Sequence, residues 1–155
     1  MVNTTALDMS AITGAVESVV DPEIPVLTID ELGILRSVKS DDGRLVVTIT
    51  PTYSGCPAMR QIEDDIAAAV RRFGVDEVDV RITYSPAWTT DWISEEGRRK
   101  LAEFGIAPPT ELVEVVCPRC AGDSPHLVSR FGSTACKALM VCSVCGEPFD
   151  YFKKH

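Results

Sequence analysis

Apolar Ile12, Val16, Val19 and Val20 recur at helical spacing behind Asp8 or Ser10 as a cap, so a first amphipathic helix is predicted over Asp8 to Val20, weakened modestly by Gly14. The run Asp21-Pro22-Glu23-Ile24-Pro25 stops it, because proline cannot continue a helix and disfavours helical geometry in the residue before it. After a loop to about Gly33, two β-prone runs, 34–38 and 45–50, flank Ser40-Asp41-Asp42-Gly43, whose Asp-Gly pair suits a tight hairpin. Beyond residues 51–57, Met59, Ile62, Ile66, Ala69, Val70 and Phe73 recur at intervals of three and four before Gly74, the best-patterned helix in the chain. Val78, Val80, Ile82 and Tyr84 then alternate with polar residues, the period of a half-buried strand. Residues 94–104 form one more helix, with Ser94 as cap, Glu95 and Glu96 in its first turn and Gly105 as exit. Pro108-Pro109 mark a linker, and from Glu111 onward short apolar runs alternate with Cys, Gly and Pro turns, the pattern of a small antiparallel ribbon.

Composition narrows this picture. A chain of 155 residues with 45% hydrophobic and 25% charged residues has the balance of a soluble globular protein long enough for a useful core. No run reaches the roughly 18 apolar residues of a membrane span, and residues 1–10 lack a basic stretch followed by an apolar one, so a cytoplasmic protein is expected. In that compartment six cysteines point to metal binding or thiol chemistry rather than disulfides. Residues 1–110 carry 10 Lys or Arg against 18 Asp or Glu, and residues 111–155 carry 5 against 5. Neither part is basic, which argues against a phosphate backbone as partner.

The strongest chemical signal is a pair of C-x-x-C knuckles, Cys117-Pro118-Arg119-Cys120 and Cys142-Ser143-Val144-Cys145, separated by 21 residues. That is one residue beyond the usual gap of about 15–20 in a four-cysteine zinc site. Each two-residue gap lets one tight turn aim two thiolates at a common point, and two knuckles complete a tetrahedron. A closed shell has no position for water or substrate, so the expected role is a structural zinc that folds a tail too small to build much core alone. A rubredoxin-like iron site and two redox-active pairs are the alternatives. Cys136 is a further thiol beside Lys137, read either as reactive or as a small buried side chain. His126 and His155 lack partners at ligand spacing and are expected to face solvent.

Cys56 immediately precedes Pro57, a favoured first helical residue, so its sulfur should face the free amides of the second helix. Those amides and the helix dipole would lower its pKa and make it a nucleophile or soft-metal ligand, whereas the plainer reading is a small buried side chain. Asp21 and Glu23 could approach it, and no His, Asp or Asn base partner is evident. Residues 88–92, Trp-Thr-Thr-Asp-Trp, are either a docking patch or a cover over the core.

Several stretches carry a resemblance to one family: Asp21-Pro22-Glu23-Ile24-Pro25, PTYSGCPAM at 51–59, SPAWTTDWISEEGRRKL at 85–101, FGSTACKAL at 131–139 and CGEPFDYFK at 145–153. The chain resembles PaaD, also called PaaJ, the small accessory subunit of the phenylacetyl-CoA ring epoxidase of aerobic phenylacetate degradation, over about residues 8–154. Its N-terminal part is also similar to iron–sulfur cluster assembly proteins with an Asp-Pro-Glu loop and a Gly-Cys-Pro turn, here Asp21 to Glu23 and Gly55 to Pro57. The resemblance implies an α+β fold: an iron–sulfur-assembly-like domain over 1–107 and a zinc ribbon over 111–155. It further implies a non-enzymatic assembly factor in which Cys56 carries or hands on a transient iron–sulfur cluster, with the iron–sulfur reductase of the epoxidase as partner. One cysteine cannot complete a cluster usually held by four thiolates, so a second copy, Cys136, a small thiol or the client would supply the rest. The rival readings are a docking subunit of the oxygenase that handles no iron and, last, a thiol enzyme, for which neither a base nor a phosphate-cradling loop is evident.

Overall fold

The computed structural model describes residues 7–155; residues 1–6, part of the stretch read as lacking a leader pattern, lie outside the described residues. The chain divides into two compact units, residues 1–87 and 88–155. No helix of the described residues is long and apolar enough to cross a membrane.

In the first unit α1 spans Met9–Glu17, with the Asp8 carboxylate accepting from the Ala11 amide at 3.1 Å as its cap. It ends three residues before the expected Val20, because Val20 bridges Thr28 and the Ile29 amide donates to the Val19 carbonyl, drawing the chain into a closed loop. Strands β1 (Leu35–Asp41) and β2 (Arg44–Ile49) form the predicted hairpin. Asp42 and Gly43 both take positive φ, 48° and 76°, the geometry whose twist matches a two-residue hairpin. Helix α2 (Ala58–Arg71) buries Met59, Ile62, Ile66 and Val70 of the periodic positions, while Ala69 is half-buried and Phe73 lies beyond the helix end, and β3 (Val78–Ile82) follows.

The sheet order is β1-β2-β3, with β3 parallel to β2, so α2 is the crossover of a β-α-β unit. Ile12 and Val16 of α1, Val47 and Ile49 of β2, and Ile62, Ile66 and Val70 of α2 are fully buried in its core. Along β3 the alternation is only partly realised, since Ile82 and the following Tyr84 remain exposed.

The second unit opens on a short 3-10 turn, Thr90–Trp92, and α3 (Glu95–Glu103), which Ser94 caps through the Gly97 amide at 3.0 Å. Strands β4 (Ile106–Ala107), β5 (Pro125–Ser129), β6 (Lys137–Cys142) and β7 (Pro148–Phe152) form a sheet in the order β4-β7-β6-β5. Its core contains Ala107, Val115, Ala138, Met140, Phe149 and Tyr151 with Cys117 and Cys142.

The compact units divide at Ala87/Trp88, whereas the domains expected from the sequence divide near residues 107–111. The Arg98 guanidinium donates to the carbonyls of Pro109 and Thr90, the Tyr151 hydroxyl donates to the Thr110 carbonyl at 2.6 Å, and β4 pairs with β7. Residues 88–110 thus form an integral part of the ribbon unit, and Pro109, expected in a linker, is buried. Trp88 is buried with its ring 6.0 Å from that of Phe152, so the aromatic loop covers the core.

Candidate metal centre and thiol loop

The two knuckles have the same backbone. In each, the first cysteine donates its amide to the carbonyl five residues on (Cys117 to Gly122 at 2.9 Å, Cys142 to Glu147 at 3.0 Å). Its carbonyl accepts from the amide four residues on, Ala121 at 2.8 Å and Gly146 at 2.9 Å. The residue after each second cysteine is left-handed, Ala121 at φ 62° and Gly146 at φ 76°. This turn lifts amides toward three of the four sulfurs: Arg119 to Cys117 at 3.4 Å, Gly122 to Cys120 at 3.4 Å and Val144 to Cys142 at 3.3 Å. Gly122 is required by the contact between knuckles, since a Cβ there would lie 2.8 Å from a Val144 methyl.

The four sulfurs lie within 4.8 Å of one another, with Cys117 and Cys145 at 3.8 Å and Cys120 and Cys142 at 3.6 Å. A tetrahedron with metal–sulfur bonds of about 2.3 Å has edges of about 3.8 Å, so the donor set fits a single zinc ion. Amides of Cys145 and Val144 pull the Cys142 thiol down to about 7. Cys120 has the Gly122 amide favouring its thiolate, yet the neighbouring sulfur of Cys142 pushes it up to about 12. Four thiols this close cannot all ionise without a cation among them. Cys117 and Cys142 are buried while Cys120 and Cys145 are exposed, which places the site at the surface end of the ribbon core.

Cys56 follows a turn in which its amide donates to the Tyr53 carbonyl at 3.3 Å, and Gly55 supplies the positive φ, 78°, that the turn requires. The half-buried thiol accepts from the Ala58 amide at the start of α2, as its position before Pro57 leads one to expect, and from the Tyr53 hydroxyl. Glu23 and Asp21 act on it electrostatically. Asp21 is buried, its carboxylate accepting from the Glu23 and Ile24 amides at 2.8 and 2.9 Å, which fixes the Asp-Pro-Glu loop.

The expected low pKa is overturned. Burial, followed by the Glu23 and Asp21 charges, outweighs the Ala58 amide and raises the thiol. Tyr53 is a participant that the sequence pattern does not single out, although it stands three residues before Cys56, the spacing at which a turn folds a side chain back.

Cys136 is buried against the Thr134 hydroxyl at 3.0 Å, and its neighbour Lys137 lies 3.9 Å from Asp150. It belongs to the second unit and Cys56 to the first. His126 is exposed beside Ser143. His155 has an exposed ring near Trp88, while its main chain is held by Thr89 and Thr90.

Together these features define a class: an iron–sulfur cluster assembly domain joined to a zinc ribbon. Residues 9–83 match the iron-sulfur cluster assembly protein family, and residues 107–153 match the PaaD zinc beta ribbon domain. The chain is 49% identical over 140 residues to a protein of Escherichia coli strain K12 provisionally named as one of the subunits of a 1,2-phenylacetyl-CoA epoxidase, covering 86% of this chain and 85% of that one. The chain belongs to this PaaD family. The chain is also similar to the Fe-S protein maturation auxiliary factor YitW of Bacillus subtilis strain 168, at 40% identity over 85 residues, 54% of this chain and 82% of that one. A crystal structure titled as a domain of unknown function, DUF59, from Bacillus anthracis superposes with a TM-score of 0.54 at 28% identity, covering 60% of this chain and 90% of that one.

Proposed function

We propose that this protein is a non-enzymatic accessory factor of the phenylacetyl-CoA epoxidase that receives an iron–sulfur cluster at Cys56 and delivers it to the iron–sulfur reductase component. The observation that carries this reading is the Cys56 loop: a half-buried thiol at the start of α2, with Ala58 and Tyr53 as hydrogen-bond donors to the sulfur and Asp21 and Glu23 nearby. Such donors stabilise a thiolate once iron has displaced its proton. The names of the relatives support it, since one is an epoxidase subunit and another an Fe-S maturation factor.

The cluster is cargo. Cys56 supplies one ligand of the four usually needed, and the client or a second copy supplies the rest, so that the cluster is handed on rather than retained. Zinc, bound by Cys117, Cys120, Cys142 and Cys145, closes the ribbon and leaves the second unit free to dock the client.

The raised Cys56 pKa favours a second reading, a docking subunit that handles no iron, because a thiol that holds its proton is a poorer ligand at neutral pH. Anaerobic purification, with zinc, iron and sulfide measured per chain before and after reconstitution, separates the two. The carrier reading expects one zinc in both the parent and Cys56→Ala, and iron uptake in the parent alone. Absence of iron from both after reconstitution would overturn the carrier reading and favour the docking subunit.

A further inference from the structure

The core face of the second sheet is closed over β6 and β7 and open at β5. Met140 of β6 is 2% exposed, whereas Leu127, its register partner on β5, is 43% exposed. Beside Leu127 lies a groove of about 420 Å³, whose other apolar walls are Leu112 and Phe131, 55% and 66% exposed, over a floor of Ala138 and Tyr151. β5 is also the last strand of its sheet, bonded to β6 along one side. An edge strand beside an apolar groove is the arrangement by which an extended chain is received, with its main chain on the edge and a side chain in the groove.

Charge selects the occupant. Arg130, Lys153 and Lys154 line this groove with one lining carboxylate, Glu111, which is paired with Lys154 while Asp91 and Glu114 lie near that lysine, so Arg130 and Lys153 carry the surplus positive charge in a chain whose net charge is −8. Lys153 is held in place, donating to the Arg130 carbonyl at 2.9 Å with its ammonium 4.5 Å from the centre of the Phe131 ring. A cationic rim on an anionic protein steers an acidic partner to this place and repels it elsewhere.

We infer that this groove docks an extended acidic segment of a partner protein, with an apolar side chain seated among Leu112, Leu127 and Phe131 and a flanking carboxylate on Arg130. The inference rests on the docking role proposed above for the second unit, and it supplies the surface and the chemistry of the partner.

The test uses the zinc-loaded full chain, isotopically labelled for NMR, titrated with a blocked peptide of alternating glutamate and leucine and with its lysine-for-glutamate counterpart. The acidic peptide is expected to shift the amides of residues 110–112 and 126–131. Binding should weaken about tenfold in Arg130→Glu and in Leu127→Ser, with the lysine peptide inert. Zinc content and tryptophan emission verify that both variants are folded. Equal response to both peptides, shifts elsewhere, indifference to both substitutions or no saturable response would overturn the inference. So would a dimer in sedimentation that Arg130→Glu dissolves, which would seat a second copy in the groove. Iron uptake at Cys56 is read separately in the same variants, so loss of docking and loss of cluster handling are distinguishable.

Discussion

Cys56 shows how a local argument fails when a wider one competes. Sequence places the thiol at a helix start, and that alone favours the thiolate; the fold then adds burial and two carboxylates from a loop more than thirty residues earlier, and these win. Alkylation of Cys56 by iodoacetamide should therefore have its pH midpoint above that of an ordinary cysteine. Asp21→Asn with Glu23→Gln should move the midpoint down, and an unchanged midpoint in the double variant would remove the carboxylates from the account. Because the folded state holds the proton more tightly than the unfolded one, this group's contribution to stability is complete below the unfolded pKa and is lost as pH rises through the folded value. The knuckles supply a second prediction at this scale. Ala121 and Gly146 occupy equivalent left-handed positions, and nothing within 4 Å of Gly146 would obstruct a Cβ, so the demand there is purely conformational. Ala121→Gly should stabilise the zinc-bound ribbon and Gly146→Ala should destabilise it, each by about 1 kcal/mol. Thermal unfolding of the zinc-loaded proteins measures both, and effects of the same sign would refute the equivalence of the two turns.

Elements whose pattern is local are legible in the amino-acid sequence: the period of α2, the Asp42-Gly43 hairpin, the Ser94 cap and the two knuckles each carry their signal within a short window. What depends on distant partners is not. Alternation in β3 cannot reveal that it runs parallel to β2, since both pairings leave the same period, and Pro108-Pro109 resembles a linker although Arg98 and Tyr151 hold its surroundings. The same contacts put both tryptophans, Trp88 and Trp92, in the ribbon unit, while α1 and α2, 9 and 14 residues long, lie in the other. Phe149 of β7 and the knuckle cysteines Cys117 and Cys142 share one core, and Trp88 packs on Phe152 of that strand. Zinc removal should therefore expose the tryptophans. Chelation is expected to shift their emission to longer wavelength while most of the helical circular dichroism persists. Simultaneous loss of both signals would mean that the first unit does not stand without the second.

At the scale of the molecule, two kinds of chemistry occupy separate compact units, a cysteine loop in residues 1–87 and a four-cysteine ribbon with a cationic groove in residues 88–155. Each unit has its own core, so substitutions in one should act additively with those in the other. Cys56→Ala is expected to abolish iron uptake while leaving zinc content and acidic-peptide binding at the parent level. Arg130→Glu should do the reverse, and the double variant should show the two losses summed. The measurement is a cycle of four proteins, each assayed for iron after reconstitution and for peptide affinity. If Arg130→Glu also reduced iron uptake in the isolated protein, the units would be coupled and the ribbon would have to be included in the cluster site. If only the delivery of cluster to an acidic client fell, with uptake intact, docking and carrying would be two separate steps, and the ribbon would direct what the thiol delivers.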